Sequence, residues 1–150
     1  FIGLNGLGDR SQVIDATKKI LAGQMIYEEY VYDTDFHDSV NSTATFNTGT
    51  NQITFTAGQI WYSSVIDLGT TLRQVKIDLG TVVGTLTYEI SSDNKVTYQT
   101  LTEGTLTTLT LSNGLGTFLR ITATGIASIS RTNDIYSQAT EPNIKLTMVE

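Results

Sequence analysis

Between Trp61 and Tyr98 the chain runs WYSSVIDLG, then QVKIDLG, then TLTYEISSDNKVTY, three stretches that alternate apolar and polar residues between Gly and Asp-Asn punctuation. Side chains along an extended strand point to opposite faces at every step, so a two-residue period marks strands buried on one side. The same grammar predicts strands over 24–33, 43–46, 52–56, 60–67, 74–78, 85–91, 97–102, 105–111, 118–124 and 143–149. Many short strands at regular spacing specify an antiparallel sandwich or barrel, not a parallel sheet with crossover helices.

The turns between them have their own chemistry. Asn47-Thr48-Gly49-Thr50-Asn51 suits a short hairpin in which Gly49 and Asn51 tolerate positive φ, and Ser92-Asp93-Asn94-Lys95 suits another. Pro142, the single proline, precedes the final strand, where its missing N–H costs least. Before this β body, Ser11 to Ala22 carries Val13, Ile14, Thr17, Ile20 and Leu21 near one face at helical spacing, with Ser11 as a cap and Gly23 as a stop. Residues 1–10, FIGLNGLGDR, alternate Gly with Leu and Ile and are expected to lie as an apolar arm on a neighbour or on the domain itself. The order of Gly3, Gly6 and Gly8 does not match a dinucleotide-binding loop. The expected organisation is therefore an arm, short helix and first strand over 1–40, followed by one sandwich over 41–150. A chain that opens on Phe is expected to be a processed product or a piece of a longer protein.

Composition narrows the function classes. Charged residues make up only 16% of the chain, so its surface is covered largely by uncharged groups. Threonine, the commonest residue, supplies a hydroxyl to water and a branched Cβ that favours extended backbone. The net charge of −6 argues against nucleic acid, which needs a basic face for counterion release. The absence of cysteine removes disulfides, thiol catalysis and thiolate metal sites together. No apolar run approaches the length of a membrane span.

The succession YSSVIDLG, QVKIDLG, YEISSDNKVTYQTL, TFLRITATG and NIKLTMVE resembles the galactose-binding-like, or discoidin-type, jelly roll. The motifs fall at Ser63 to Gly69, Ile90 to Tyr98 and Phe118 to Ile121, and the resemblance spans roughly residues 43 to 149. It implies that the β body is an all-β, antiparallel jelly-roll β-sandwich, which the N-terminal arm and one short helix read from residues 1–22 would precede. Similar domains occur in carbohydrate-binding modules and in tail, fibre and baseplate proteins of tailed bacteriophages. The Thr-rich, cysteine-free composition with an arm looks more like the phage versions.

Candidate sites are sparse. Asp33, Asp35 and Asp38 in DTDFHD place hard oxygen ligands at nearby positions, and the resemblance implies a structural calcium near an early loop. Such a run more often solvates a surface, and neither an EF-hand glycine nor its twelfth-position Glu follows. Calcium is the one cofactor left open. His37, the single histidine, cannot build a His-based zinc site or a triad alone. A sugar face stacks on aromatic rings, so Trp61, Tyr62, Tyr98 and Tyr136 are candidate platforms, with Arg131 and Asn133 as polar neighbours in the late loop SRTNDIYSQATEP. For Trp61 the commoner alternative is core packing. Arg120 is expected to lie over the sheet or to pair with a carboxylate.

Two functions follow as expectations. The leading one is a non-enzymatic structural protein of a virus particle, a bacteriophage tail, fibre, baseplate or capsid-decoration subunit. It would be located in the virion, bound to other virion proteins and to copies of itself, with a trimer expected. The alternative is a carbohydrate-binding module that recognises cell-surface glycans. Neither needs nucleic acid, a membrane or a catalytic group, and no nucleophile–base pair is legible.

Overall fold

The computed structural model describes residues 26–31, 36–66, 73–110, 116–131 and 142–149. They form strands β1 Ile26–Val31, β2 Thr45–Asn47, β3 Gln52–Phe55, β4 Ile60–Tyr62, β5 Gln74–Leu79, β6 Thr81–Val83, β7 Leu86–Ser91, β8 Gln99–Leu101, β9 Thr107–Thr108, β10 Phe118–Ala123, β11 Ala127–Ser130 and β12 Ile144–Val149. All pairings are antiparallel, in three four-stranded sheets ordered β1-β12-β5-β9, β4-β10-β7-β8 and β2-β3-β11-β6. The protein is all-β among the described residues. The segment expected as a helix, Ser11 to Ala22, lies outside them.

Alternation in the sequence becomes in–out alternation in space. The inward row Phe46–Ile53–Ile129–Val82 crosses the third sheet, and Trp61–Ile121–Tyr88–Leu101 crosses the second. With Val75, Ile77, Ile144, Leu146 and Met148 of the first sheet they join one hydrophobic core, where Trp61, Ile53, Ile77, Ile121, Ile129 and Met148 are completely buried. Burying side chains of this size contributes roughly 1.5–3 kcal/mol each before chain entropy is counted.

Two departures from the expected strands have local causes. The stretch expected as one strand over 60–67 leaves the ladder after Tyr62, where the buried Ser63 hydroxyl accepts the Leu119 N–H at 2.9 Å in place of a backbone carbonyl. Ser63 and Ile66 make only isolated bridges, to His37 and Thr117. Strands β6 and β11 were not expected: Val82 and Val83 sit between Gly80 and Gly84, and ASIS pairs small residues with only one large apolar side chain. Ser130, read as the start of the late loop, is therefore the last residue of β11, and residues 132–141 lie outside the described residues.

Gly80 joins two sheets. The chain passes from β5 into β6 through it, with its N–H donating to Asn143 O at 2.9 Å, and a Cβ there would stand 2.0 Å from Ser130 O. A second link uses a side chain. The Gln99 amide donates to Thr108 O at 2.7 Å and accepts from Thr110 N at 2.9 Å, filling a ladder position between β8 and the β9 segment.

Candidate functional site

Extended backbone places Tyr62, Arg120, Glu89 and Thr100 in one row across the outward face of the β4-β10-β7-β8 sheet, each directly opposite the next. Directly opposed residues in antiparallel strands lie close enough for their side chains to interact. Arg120 donates from Nε and Nη2 to Glu89 Oε1 at 3.1 and 2.9 Å, as expected of an arginine at the centre of a strand. Its guanidinium carbon lies 3.4 Å from the centre of the Tyr98 ring. This is a stacked cation–π contact on a ring delivered by the loop before β8.

The Tyr62 phenol stands beside both Tyr98 and Arg120, close enough to shift the titration of each. Burial, with the Tyr62 phenol beside it, pushes the Tyr98 hydroxyl up to about 12, so it stays a donor at any physiological pH. For Arg120, burial works against the charge, but the hydrogen-bonded Glu89 carboxylate and the neighbouring Tyr62 phenol outweigh it and raise its pKa further. Both members of the ion pair keep about a quarter of their side-chain surface open, at 23% and 24%.

A second cation extends the cluster. Lys95 Nζ sits 4.4 Å from the Tyr62 ring centre, 4.5 Å from that of Phe118 and 3.7 Å from Asp38 Oδ2. It is aimed there by a turn in which both Asn94 (φ 58°) and Lys95 (φ 66°) are left-handed, a conformation that is uncommon and strained for lysine. The turn is held from inside. The buried Asp93 carboxylate accepts from Thr97 Oγ1 at 2.6 Å, Thr97 N at 2.8 Å and Ser91 Oγ at 2.9 Å. The Thr97 bonds chiefly hold its pKa below the usual carboxylate range. Beside Tyr98, a pocket of about 30 Å³ is lined by Ser92, Thr97, Gln99 and Thr110 over Ile90 and Leu109. That volume suits a water, not a sugar ring.

The sequence-derived candidates separate in space. Tyr62 and Tyr98 come together on one face, half-buried. Trp61 is one residue from Tyr62 but on the opposite face, completely buried against Ile121, so it has no surface to offer a ligand and belongs to the core. Arg131 follows β11 at the end of a different sheet. Asn133 and Tyr136 lie outside the described residues, as do Asp33 and Asp35. Asp38 is engaged as a turn cap, accepting from Val40 N and Asn41 N at 3.1 Å each and from Asn41 Nδ2 at 2.6 Å. Burial raises its pKa, but these bonds and Lys95 together bring it below the ordinary value. Among the described residues, no three His, Cys, Asp or Glu side chains gather as a metal cluster.

His37 packs behind this face. Its ring centre lies 5.0 Å from Phe46 and 6.2 Å from Trp61, nearly parallel to the indole. His37 Nδ1 and Trp61 Nε1 are both buried without a hydrogen-bond partner. Burial lowers the His37 pKa more than the neighbouring Asp38 charge raises it.

Glu89 and Lys95 belong to the cluster although nothing singled them out in the sequence. The available signal was position: Glu89 in TYEIS and Arg120 in FLRIT are opposite charges at the outward centres of two alternating strands. Compared with known proteins, the chain matches no family model and no curated protein sequence.

Proposed function

We propose that the chain is a non-enzymatic structural subunit of a virus particle, a discoidin-type jelly roll of a bacteriophage tail, fibre, baseplate or capsid decoration. The observation that carries this reading is that the polar groups of the candidate site bind one another. Arg120 is spent on Glu89, Tyr62 and Tyr98, and Lys95 on two rings and Asp38. These contacts contain no nucleophile–base pair of the kind by which an active site is recognised. Segments carrying the resemblance supply strands β5, β7, β10 and β12 around one core, which supports a jelly roll without specifying one. Assembly is assigned to residues 1–40, with a trimer as the expected unit. Quantitative mass spectrometry of particles purified from the source tests the proposal: the chain should occur at a fixed ratio to the major shell protein. Its absence from the particles would refute the assignment.

A second reading, glycan recognition, is favoured by one observation. Tyr62, Tyr98 and Arg120 gather two rings and a planar cation at a single partly open surface. Arg120 lies over one face of the Tyr98 ring and Lys95 over one face of the Tyr62 ring, and rings with hydrogen-bonding cations are the chemistry that sugars use. A glycan array probed with the wild type and with Tyr98→Ala tests it. Binding that survives Tyr98→Ala, or no binding at all, removes this surface as a sugar site.

A further inference from the structure

The outward face of the β1-β12-β5-β9 sheet is covered at one corner. Pairing places Ile26–Val149–Gln74, Glu28–Thr147–Lys76 and Tyr30–Lys145–Asp78 in outward rows, because the alternate residues Val31, Ile144, Leu146, Met148, Val75 and Ile77 point into the core. Yet Val149 is only 3% exposed and Glu28 only 6%. Val149 does not belong to the core cluster, so its cover comes from the other side of the sheet. The open part of the same face shows what neighbours within the sheet achieve by themselves: the Lys76 and Lys145 side chains are each 35% exposed.

Glu28 makes the demand on that cover specific. Its carboxylate accepts from the Tyr30 hydroxyl and pairs with Lys145 Nζ at 3.2 Å. Lys145 stays far more open than Glu28, so the lysine by itself does not shut the carboxylate away from water. A carboxylate held out of solvent is tolerated where cations and donors compensate it. A layer that seals this corner therefore needs apolar side chains over Val149 and positive charge near Glu28.

We infer that residues 11–22 of the same chain form that layer, seated on the outward face across β1 and β12. The segment enters β1 at this corner: Gly23, Gln24 and Met25 are all that separates it from Ile26, a usual length for the link between a helix and the strand it packs on. At helical spacing Val13, Ile14, Thr17, Ile20 and Leu21 make one stripe, and Lys18 stands beside Ile14 and Leu21 at its border, the charge that Glu28 calls for. A helix over 11–22 spans about 18 Å, close to the roughly 20 Å of a strand the length of β1. Residues 67–72 also run into this corner, through Arg73, whose N–H donates to Val149 O at 2.7 Å, but they hold only Leu68 and Leu72 as large apolar side chains and no cation. The seat goes beyond the virion proposal and narrows the free part of the arm to residues 1–10.

The chain has no cysteine, so Lys19→Cys, which helical spacing puts opposite the stripe, accepts one nitroxide label in the full-length protein. The label is expected to broaden the amide resonances of Glu28, Thr147 and Val149 and to leave Thr54 and Ser128 of the third sheet sharp. Adding Leu21→Asp, which puts a charge in the stripe, should restore the broadened resonances while the amides of Ile53 and Ile121 keep their positions, the sign of an intact β body. Labelled chains mixed with unlabelled, isotope-enriched ones should broaden nothing in the latter. Uniform intensities across the three sheets with the label in place would overturn the inference, as would broadening that survives Leu21→Asp. Broadening in the mixed sample would give the seat to a neighbouring copy and overturn it too. The measurement needs no particle, so it fails independently of the stoichiometry that tests the virion proposal.

Discussion

Replacing Gly80 by Ala separates the effect of a close backbone approach from that of backbone conformation. Ordinary contact for a Cβ begins at 3.4 Å, and at position 80 the added carbon would stand 2.0 Å from Ser130 O, 3.1 Å from Ser130 C and 3.2 Å from Arg131 Cα. All three atoms are backbone, so no rotamer change relieves the clash. Relief requires β6 to move away from β11, straining the Thr81–Ser130 pairing and the Gly80 N–H bond to Asn143 O. Losing two or three such bonds costs about 2–3 kcal/mol at roughly 1 kcal/mol net each, within the usual range for overpacking. The lower entropy of an unfolded alanine returns about 0.4–1 kcal/mol. A net loss of about 2 kcal/mol corresponds to a Tm lower by roughly 4–8 °C for a chain of this size.

Comparators in the same fold make the assay discriminating. Gly125 has nothing within 4 Å and an ordinary φ, so its alanine variant should be neutral or slightly more stable. Gly58 has open space but φ +80°, so alanine there meets conformational strain alone, about 1–2 kcal/mol. Gly84 combines φ +83° with a carbonyl oxygen at 2.4 Å and should be the most damaging of the four. The single, fully buried tryptophan, Trp61, reports unfolding by fluorescence in urea. If Gly80→Ala matched Gly125→Ala in midpoint, the strand contact at Ser130 would not exist as described.

Other outcomes follow from the same contacts. Arg120→Ala removes two hydrogen bonds to Glu89 and the cover of the Tyr98 ring, and should cost about 1–2 kcal/mol in urea unfolding, with Arg120→Lys recovering only part because an ammonium lacks the planar fork. Ser63→Ala leaves the buried Leu119 N–H unpaired and should cost about 1–3 kcal/mol; an unchanged midpoint would remove the hydroxyl from the ladder. Stability should fall in two acid steps. His37, with its folded pKa held below 6.5, is neutral in both states at higher pH, and below 6.5 the unfolded chain takes up its proton first, so stability drops. Asp38 and Asp93, with folded pKa values below 3.8, contribute fully above that value and lose their contribution as pH falls toward their folded pKa values. His37→Gln should abolish only the upper step, and unfolding midpoints between about pH 7 and 5 that still slope equally would refute its origin in this ring.

Much of the β architecture was legible because alternation carries both strand and facing. Val75, Ile77, Leu119 and Ile121 are buried as their two-residue spacing predicts, and Asn51 takes the positive φ expected at its hairpin. What escaped were elements whose stability comes from neighbours. Strand β11 has only Ile129 as a large inward residue and exists because β3 and β6 flank it. The cluster around Arg120 was half legible: Tyr62 and Tyr98 stood out as aromatics, but Glu89 and Lys95 join them only through register and through the left-handed turn at Asn94 and Lys95. Pairing partners separated by 31 residues, as Arg120 and Glu89 are, leave no local mark in a chain.

The passage of β5 into β6 through Gly80 bears on how the molecule comes apart. One uninterrupted run of backbone, 74–83, is at once a strand of the first sheet and a strand of the third, while Gln99 fastens the second sheet to the first. A load applied to any one sheet is thereby passed along covalent chain to its neighbour instead of opening a seam between them. Amide protons at Ile77, Ile129 and Ile121, each on a strand paired on both sides, should consequently exchange with solvent together, through one whole-body opening, with no sheet released ahead of the others.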